Sequence, residues 1–253
     1  MLPTALTIAG SDPSGGAGLQ ADLKTFLAHQ VYGMAVVTAL TAQNTLGVQA
    51  VQPVGADWVR QQLQPVLDDV PIGAAKIGML ADAAVVAAVA ETLAGTAFPV
   101  VLDPVLVSSS GHRLLAPDAV QVLIEALLPR VDVITPNLPE AAVLLGDVPP
   151  DAWAEEHDVA LLLKGGHADG DPIEDHLYLP DGFHMRVCHP RVHTRNSHGT
   201  GCTLSAALAA NLAKGQPIHD AVQSAVAYVA DLLDKSADHR LGQGRGPLLH
   251  GLT

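Results

Sequence analysis

The segment of this chain best suited to chemistry is Asn196-Ser197-His198-Gly199-Thr200-Gly201-Cys202-Thr203, directly ahead of an apolar run over 204–212. Two glycines let backbone amides converge, and a helix starting there adds a partial positive charge, which together make an anion site. A cysteine at the start of such a helix has its thiolate favoured by the same dipole. The plainer alternative is a capped helix with an inert, buried Cys202. The polarity and constraint of so short a loop weigh against it.

Three other places offer charged groups at strand ends, where ligands bind in open α/β sheets. Asp103-Pro104 closes an apolar run and precedes a loop over 105–115 that contains Ser108-Ser109-Ser110-Gly111. Thr135-Pro136-Asn137-Leu138-Pro139-Glu140 closes the next run, and Lys164-Gly165-Gly166-His167 another. Asp103 and Glu140 suit Mg²⁺, an ion that takes few direct carboxylates and completes its shell with water and phosphate. Both could equally be acids serving a helix dipole. Lys164 is either a phosphate contact or a solvated lysine.

Gly16-Ala17-Gly18-Leu19-Gln20-Ala21 fits the dinucleotide pattern G-x-G-x-x-A. That reading also wants an acid about 20 residues on to hold a ribose. The region is Val36-Val37-Thr38-Ala39-Leu40-Thr41, which has none, so a tight strand-to-helix turn or a substrate-facing turn is preferred. No G-x-x-x-x-G-K-[ST] occurs, which excludes a P-loop. His189 and His193 are four apart beside Cys188, but in a Pro-containing extended stretch. A closed zinc site needs four ligands in order, so these are read as surface histidines.

The elements that must position these groups follow the βαβ rhythm of a parallel sheet. Strands are expected over 5–9, 35–40, 74–77, 100–102, 131–134 and 159–163. Helices are expected over 18–29, 57–67, 83–93, 117–128 and 138–145. Beyond Lys164 the rhythm changes: runs over 176–179 and 183–188 flank Pro180-Asp181-Gly182, a hairpin turn. Two helices, over 201–214 and 218–233, precede a glycine-rich, irregular tail from Ser236. No repeat or linker divides the 253 residues, so a single domain over 1–253 is expected.

Composition narrows the partners. Nearly half of the residues are hydrophobic but only 3% are aromatic, so the core must be aliphatic. Thirteen Lys and Arg against 26 Asp and Glu give a net charge of −13. A chain this acidic repels nucleic acid and anionic lipid, so neither nucleic acid nor membrane is expected as a partner. With so few cations, a phosphate site must lean on backbone N–H groups. Two cysteines make no disulfide scaffold, and no stretch reaches the length of a membrane span or signal peptide, so a cytoplasmic location is expected.

Taken together, the motifs resemble the hydroxymethylpyrimidine/phosphomethylpyrimidine kinases of the ribokinase-like superfamily. The likeness is carried by Ala5-Leu6-Thr7-Ile8-Ala9-Gly10-Ser11-Asp12-Pro13-Ser14-Gly15-Gly16-Ala17-Gly18-Leu19-Gln20-Ala21-Asp22, Thr41-Ala42-Gln43-Asn44, Lys76-Ile77-Gly78-Met79-Leu80, Asp103-Pro104-Val105, the Thr135–Glu140 motif, the Lys164–His167 motif and His198-Gly199-Thr200-Gly201-Cys202-Thr203, in the family's order. Cys202 is discriminating, because similar sugar kinases of the superfamily carry aspartate there.

The resemblance implies a three-layer α/β/α sandwich with a central, mostly parallel sheet. It implies ATP-dependent phosphorylation of 4-amino-5-hydroxymethyl-2-methylpyrimidine and then of its monophosphate, in thiamine biosynthesis. The pyrimidine would sit near Gly10, Asp22, Gln43 and Met79, with Gln43 on its amino and ring-nitrogen edge and Met79 on its face. ATP would lie over the final helices, its phosphates between Lys164 and the amides of Gly199, Thr200, Gly201 and Cys202, with Mg²⁺ near Asp103 and Glu140. Cys202 would act as base. The expected partners are the pyrimidine, ATP and a second copy of the chain in a homodimer. The chain departs from the family in a stretch between Glu140 and Lys164 shorter by about ten residues, consistent with a trimmed peripheral helix, in Leu106 where Met is frequent, and in Ser109 where many members have lysine. A pyridoxal-type kinase of the same fold is the nearest rival, and a non-catalytic pyrimidine-binding module a more distant one.

Overall fold

The computed structural model describes residues 2–107, 114–166, 168 and 170–251. Ser108, Ser109, Ser110, Gly111 and His167, singled out above, lie outside the described residues. Among those described, nine strands form one sheet: β1 (Thr4–Ser11), β2 (Tyr32–Asn44), β3 (Gly47–Pro53), β4 (Ala74–Ile77), β5 (Val100–Leu102), β6 (Val133–Ile134), β7 (Ala160–Leu163), β8 (Ile173–Tyr178) and β9 (His184–His189). Their order is β3-β2-β1-β4-β5-β6-β7-β8-β9. The six from β2 to β7 in that order are parallel, while β3 pairs antiparallel with β2 at one edge, and at the other β8 pairs antiparallel with β7 and β9 with β8.

Parallel strands covered on both faces read as unbroken apolar runs. β1 is buried throughout its interior, and β4, β5 and β6 are wholly buried. Leu6, Ile8 and Ile77 pack with α2 (Ala56–Asp69), α3 (Ala83–Thr92), α4 (Ala119–Val122), α5 (Leu138–Leu145) and α6 (Pro150–His157). Ala5, Ala74 and Val133 pack on the opposite face with α1 (Gly18–Ala28), α7 (Thr200–Ala213) and α8 (Ile218–Ser236). The result is the three-layer sandwich. α7 is buried on nearly every side from Thr203 to Asn211, which its Ala-rich sequence allows by letting neighbours approach closely. Leu208 in it is fully buried, worth about 2 kcal/mol in transfer free energy.

Several expected boundaries shift, each for a local reason. The strand expected over 35–40 runs from Tyr32 to Asn44, because its far end pairs with β3, an edge strand not expected from the sequence. β3 is mostly half-buried or exposed, so it lacks an apolar signature. The helix expected over 117–128 starts at Ala119, widens into a π-turn over Leu123–Leu127 and ends in a 3₁₀ turn at Leu128–Arg130. The segment between Glu140 and Lys164 still contains α6, which buries only Trp153 and Ala154 and so shows no helical stripe. α8 runs on to Ser236, and the tail beyond it is irregular yet bridges back: Pro247 pairs with His198, and His198 N–H donates to the Gly246 carbonyl at 3.0 Å.

Candidate active site

The carboxyl ends of β1, β2, β4, β5 and β7 converge with the start of α7 around a cleft of about 1030 Å³. On one wall is the loop expected to bind an anion. Gly199 caps α7 with φ 83°, a left-handed conformation that favours glycine. A side chain there would also collide with the Gly16 carbonyl, so the two glycine-rich loops interlock through backbone. The Gly199 carbonyl accepts from the Thr203 N–H and hydroxyl, both at 2.8 Å, and the Thr200 hydroxyl donates to the Ser197 carbonyl at 2.8 Å. The next N–H groups, on Gly201 and Cys202, belong to a first turn with no intrahelical acceptor, and both residues line the cleft.

Facing them is a charged cluster. Lys164 Nζ donates to Asp103 Oδ1 at 2.9 Å, and a Cβ on Gly201 would sit 3.4 Å from both Lys164 Nζ and Asp103 Oδ2. The lysine expected at a strand end is thus paired and mostly buried, not solvated. Burial works against its charge, but Asp103 and Glu140 outweigh that and raise its pKa. Glu140 closes a capping box on α5: its Oε2 accepts from the Asn137 N–H and the Asn137 side chain accepts from the Glu140 N–H, both at 2.9 Å. So the helix-capping alternative holds for Glu140, while the same side chain lines the cleft. Burial, then repulsion from Asp103, pushes its carboxyl up to about 7, against the pull of Lys164 and the N–H groups of Asn137 and Leu106.

Two buried carboxylates share one lysine here, and a further cation would relieve the strain on Glu140. That donor set fits Mg²⁺, which takes one or two carboxylates and fills its shell with water and phosphate oxygens. No group of three His, Cys, Asp or Glu side chains is arranged to hold a metal among the described residues.

Beneath the cleft, Asp22 and Lys76 form a fully buried pair, with Nζ 3.0 and 2.9 Å from the two carboxylate oxygens and the Thr7 hydroxyl donating at 2.6 Å. This corrects the expectation for Asp22. Its carboxylate is spent on Lys76 and Thr7 with no exposed surface, so it does not contact a ligand in the cleft. Burial opposes the charge on Lys76, but Asp22 raises its pKa well above the ordinary range. Cys202 also departs from expectation. Burial pushes its thiol up to about 11, with Asp22 and Asp103 adding to the rise, against Lys76 and the Gly18 N–H. The dipole of α7 does not leave it a resting thiolate.

At the other end of the cleft, Gln43 stands at the tip of β2, and Gly10 and Met79 complete this corner. The Met79 carbonyl accepts from the Thr38 hydroxyl at 2.5 Å, which holds this segment against β2. The residues that hold Gln43 were not expected to have a role. His198 Nε2 lies 3.3 Å from the Gln43 amide and 2.8 Å from Asp12 Oδ2. Asp12 in turn collects the N–H groups of Ser14, Gly16 and Ala17 and the Ser14 hydroxyl, at 2.7–3.1 Å. Burial acts to raise its pKa, yet these bonds and His198 hold it down at about 2. A side chain on Gly16 would strike the His198 ring, which explains glycine there.

The phosphomethylpyrimidine kinase family model matches residues 12–249. The chain belongs to this family. It is 48% identical over 259 residues to the hydroxymethylpyrimidine/phosphomethylpyrimidine kinase of Escherichia coli K12, covering 97% of this chain and 96% of that one. It is 44% identical over 259 residues to a thiamine biosynthesis multifunctional protein of Corynebacterium efficiens, covering 98% of this chain and 35% of the other. Among solved structures it is similar to the pyridoxal kinase of Staphylococcus aureus in complex with ADP, with a TM-score of 0.88, 34% identity and coverage of 99% and 94%. For a phosphomethylpyrimidine kinase family member, the sequence signal for the missed residues was present but weak. Lys76 was the lone charge in a four-residue buried strand, and His198 and Asp12 each began a glycine-rich turn.

Proposed function

We propose that this chain transfers the γ-phosphoryl group of ATP to the hydroxymethyl group of 4-amino-5-hydroxymethyl-2-methylpyrimidine, and then phosphorylates the monophosphate, in thiamine biosynthesis. The observation that carries the reading is the contact of Gln43 with His198 at 3.3 Å. It sets a side chain able to read a pyrimidine edge beside the residue that opens the anion loop. The nucleotide phosphates occupy the space between Lys164 and the amides of Gly199, Thr200, Gly201 and Cys202. The rest of ATP runs toward Val226, Val229 and Leu233 of α8, which line the far end of the cleft.

Phosphoryl transfer depends mainly on positioning and charge stabilisation. The substrate oxygen bonds to the γ-phosphorus as the bond to the β,γ-bridging oxygen breaks. Lys164 and the loop amides hold the transferring oxygens. Asp103 and Glu140 would hold Mg²⁺, which would neutralise charge on the phosphates. The alcohol proton passes to the thiolate fraction of Cys202. In the second step the nucleophile is a phosphate oxygen, anionic above a pKa of about 6, and requires no base.

The chain acts as one kinase domain, a reading supported by a single sheet and a family match from residue 12 to 249. A homodimer and a cytoplasmic location belong to the same proposal. No helix among the described residues is long and apolar enough to cross a membrane. A pyridoxal-type kinase stays as the second reading because of the 0.88 TM-score, but identity is lower there than with the pyrimidine kinase. The deciding experiment is a coupled ADP-release assay with the pyrimidine alcohol, its monophosphate and pyridoxal side by side. Pyrimidine turnover well above that of pyridoxal is expected. ADP release with pyridoxal alone would overturn the assignment.

A further inference from the structure

The contacts around Gln43 constrain which end of its amide is donor and which is acceptor. His198 Nε2 lies 2.8 Å from Asp12 Oδ2. A carboxylate accepts only, so Nε2 must carry a hydrogen, whether the ring is neutral or charged. The tautomer with a bare Nε2 would press a lone pair against the carboxylate. With Nε2 protonated, the orientation that turns the Gln43 NH₂ toward His198 sets donor against donor at 3.3 Å.

The other end of the amide gives the same answer. Thr41 Oγ1 lies 2.9 Å from the Ser11 carbonyl, to which its single hydrogen goes, and 3.2 Å from the Gln43 amide. Toward Gln43 it therefore offers lone pairs and needs a donor. Rotating the amide by 180° leaves the heavy atoms in place and resolves both conflicts, as amide ends are assigned from their hydrogen-bond network. Gln43 Oε1 then takes a share of the Nε2 hydrogen whose main acceptor is Asp12 Oδ2, a three-centre contact at 3.3 Å, and its NH₂ donates to Thr41.

We propose that Asp12, His198 and Thr41 lock the Gln43 amide in one polarity and so make it a reader of 4-aminopyrimidines that rejects the 4-oxo counterparts. The proposal rests on the pyrimidine kinase reading and extends it. Locked, the amide keeps one lone pair on Oε1 and one hydrogen on NH₂ for a ligand. A 4-aminopyrimidine supplies the complement, an exocyclic N–H and a bare ring N3. A 4-oxopyrimidine supplies the reverse, a carbonyl and a ring N–H, so both contacts become repulsive. A freely rotating glutamine would turn over and accept either ring. Specificity of this kind comes from the mismatch imposed on the wrong ligand. His198 and Asp12 are positioning residues, since they act through Gln43. The Asp12 carboxylate is fixed by three backbone N–H groups, so the chain of contacts is anchored in the turn that interlocks with the anion loop.

The test compares 4-amino- and 4-oxo-5-hydroxymethyl-2-methylpyrimidine as substrates, by kcat/KM with ATP and by calorimetric binding without it. The wild type is expected to prefer the amino compound by about 10²-fold or more, in the range that mispaired polar groups produce. The His198→Phe variant keeps a ring against Gly16 and loses the donor, and its amino-to-oxo ratio should fall by roughly tenfold or more. The Thr41→Val variant frees the opposite end of the amide, should narrow the ratio in the same direction, and serves if His198→Phe does not fold. A general structural defect would lower both substrates together, so an unchanged ratio in either folded variant overturns the lock. A wild type that turns over neither pyrimidine removes the kinase reading, and the lock with it. One that turns over both equally removes the lock alone.

Discussion

Lys164 Nζ reaches Asp103 Oδ1 at 2.9 Å, tying the end of β7 to the end of β5 across β6, which lies between them in the sheet. That contact leaves Glu140 without a full share of the lysine, which is why burial and Asp103 can hold its carboxyl near 7.

Glu140 should therefore trade stability for cation binding. In the folded chain it keeps its proton up to about 7, against an ordinary value of 4.5. As pH rises from 4.5 to 7 the unfolded chain releases that proton first, so folding loses stability through this window and bears the full cost above 7. The Glu140→Gln variant keeps an acceptor for the Asn137 N–H and escapes the cost. Relative to wild type it should gain on the order of 1–3 kcal/mol at pH 8 and little at pH 4.5 in urea unfolding. The Mg²⁺ concentration for half-maximal activity should rise about tenfold, the loss of one charged contact. In wild type that concentration should also rise as pH falls below 7, because a protonated carboxyl is a poor cation ligand. An unchanged Mg²⁺ requirement would leave Glu140 as a helix cap alone.

Gln43 should be a reader of the pyrimidine and of nothing else. Removing its amide leaves the partner groups on the ring unpaired, so Gln43→Ala should weaken pyrimidine binding by about 1–3 kcal/mol. ATP affinity should stay close to wild type in the same titration. If ATP affinity falls as far as pyrimidine affinity, Gln43 supports the anion loop rather than the substrate.

What the sequence made legible followed burial. β4 and β5 are buried on both faces, and their limits match the apolar runs Ala74–Ile77 and Val100–Leu102 residue for residue. β3 and α6 escaped because an edge strand and a helix with two buried side chains carry almost no pattern. Within the site, Cys202, Lys164 and Gln43 stood out as chemical groups near strand or helix ends. Asp22 misled because a carboxylate in a glycine-rich motif looks the same whether it faces a ligand or a lysine. Only the fold, which brings β1 and β4 side by side, reveals Lys76 as its partner. The pKa of Cys202 was illegible for the same reason: the helix dipole is local, whereas burial and Asp103 come from distant chain.

The Asp22–Lys76 pair gives a test of that arrangement. Both side chains are fully buried, so Lys76→Met leaves an unpaired carboxylate and should cost about 3–5 kcal/mol in denaturant unfolding. Adding Asp22→Asn removes the orphan charge while still accepting from Thr7, and should recover most of that loss. A double variant no more stable than Lys76→Met would mean the lysine stabilises through packing, not through its partner.

Cys202 should separate the two phosphorylation steps by their response to pH. A thiol pushed up to about 11 is ionised in only ~10⁻⁴ of molecules at pH 7, so a step that uses its thiolate should speed up about tenfold per pH unit between 7 and 9. The alcohol step meets that condition, since its nucleophile carries a proton. The monophosphate step does not, since its oxygen is already anionic above about 6, and its rate should be flat over the same range. Cys202→Ala should lower the alcohol step by about 10²–10⁴-fold, the usual contribution of a general base, and flatten its pH profile. The N–H groups of residues 201 and 202 survive the substitution, so the monophosphate step should suffer only from altered loop packing. Single-turnover rates with each substrate at saturating ATP and Mg²⁺ decide the matter. Equal losses in both steps would mean that the side chain shapes the anion loop. A flat wild-type profile for the alcohol would take the proton away from Cys202 and leave it to the phosphoryl oxygens, as a loose transition state permits.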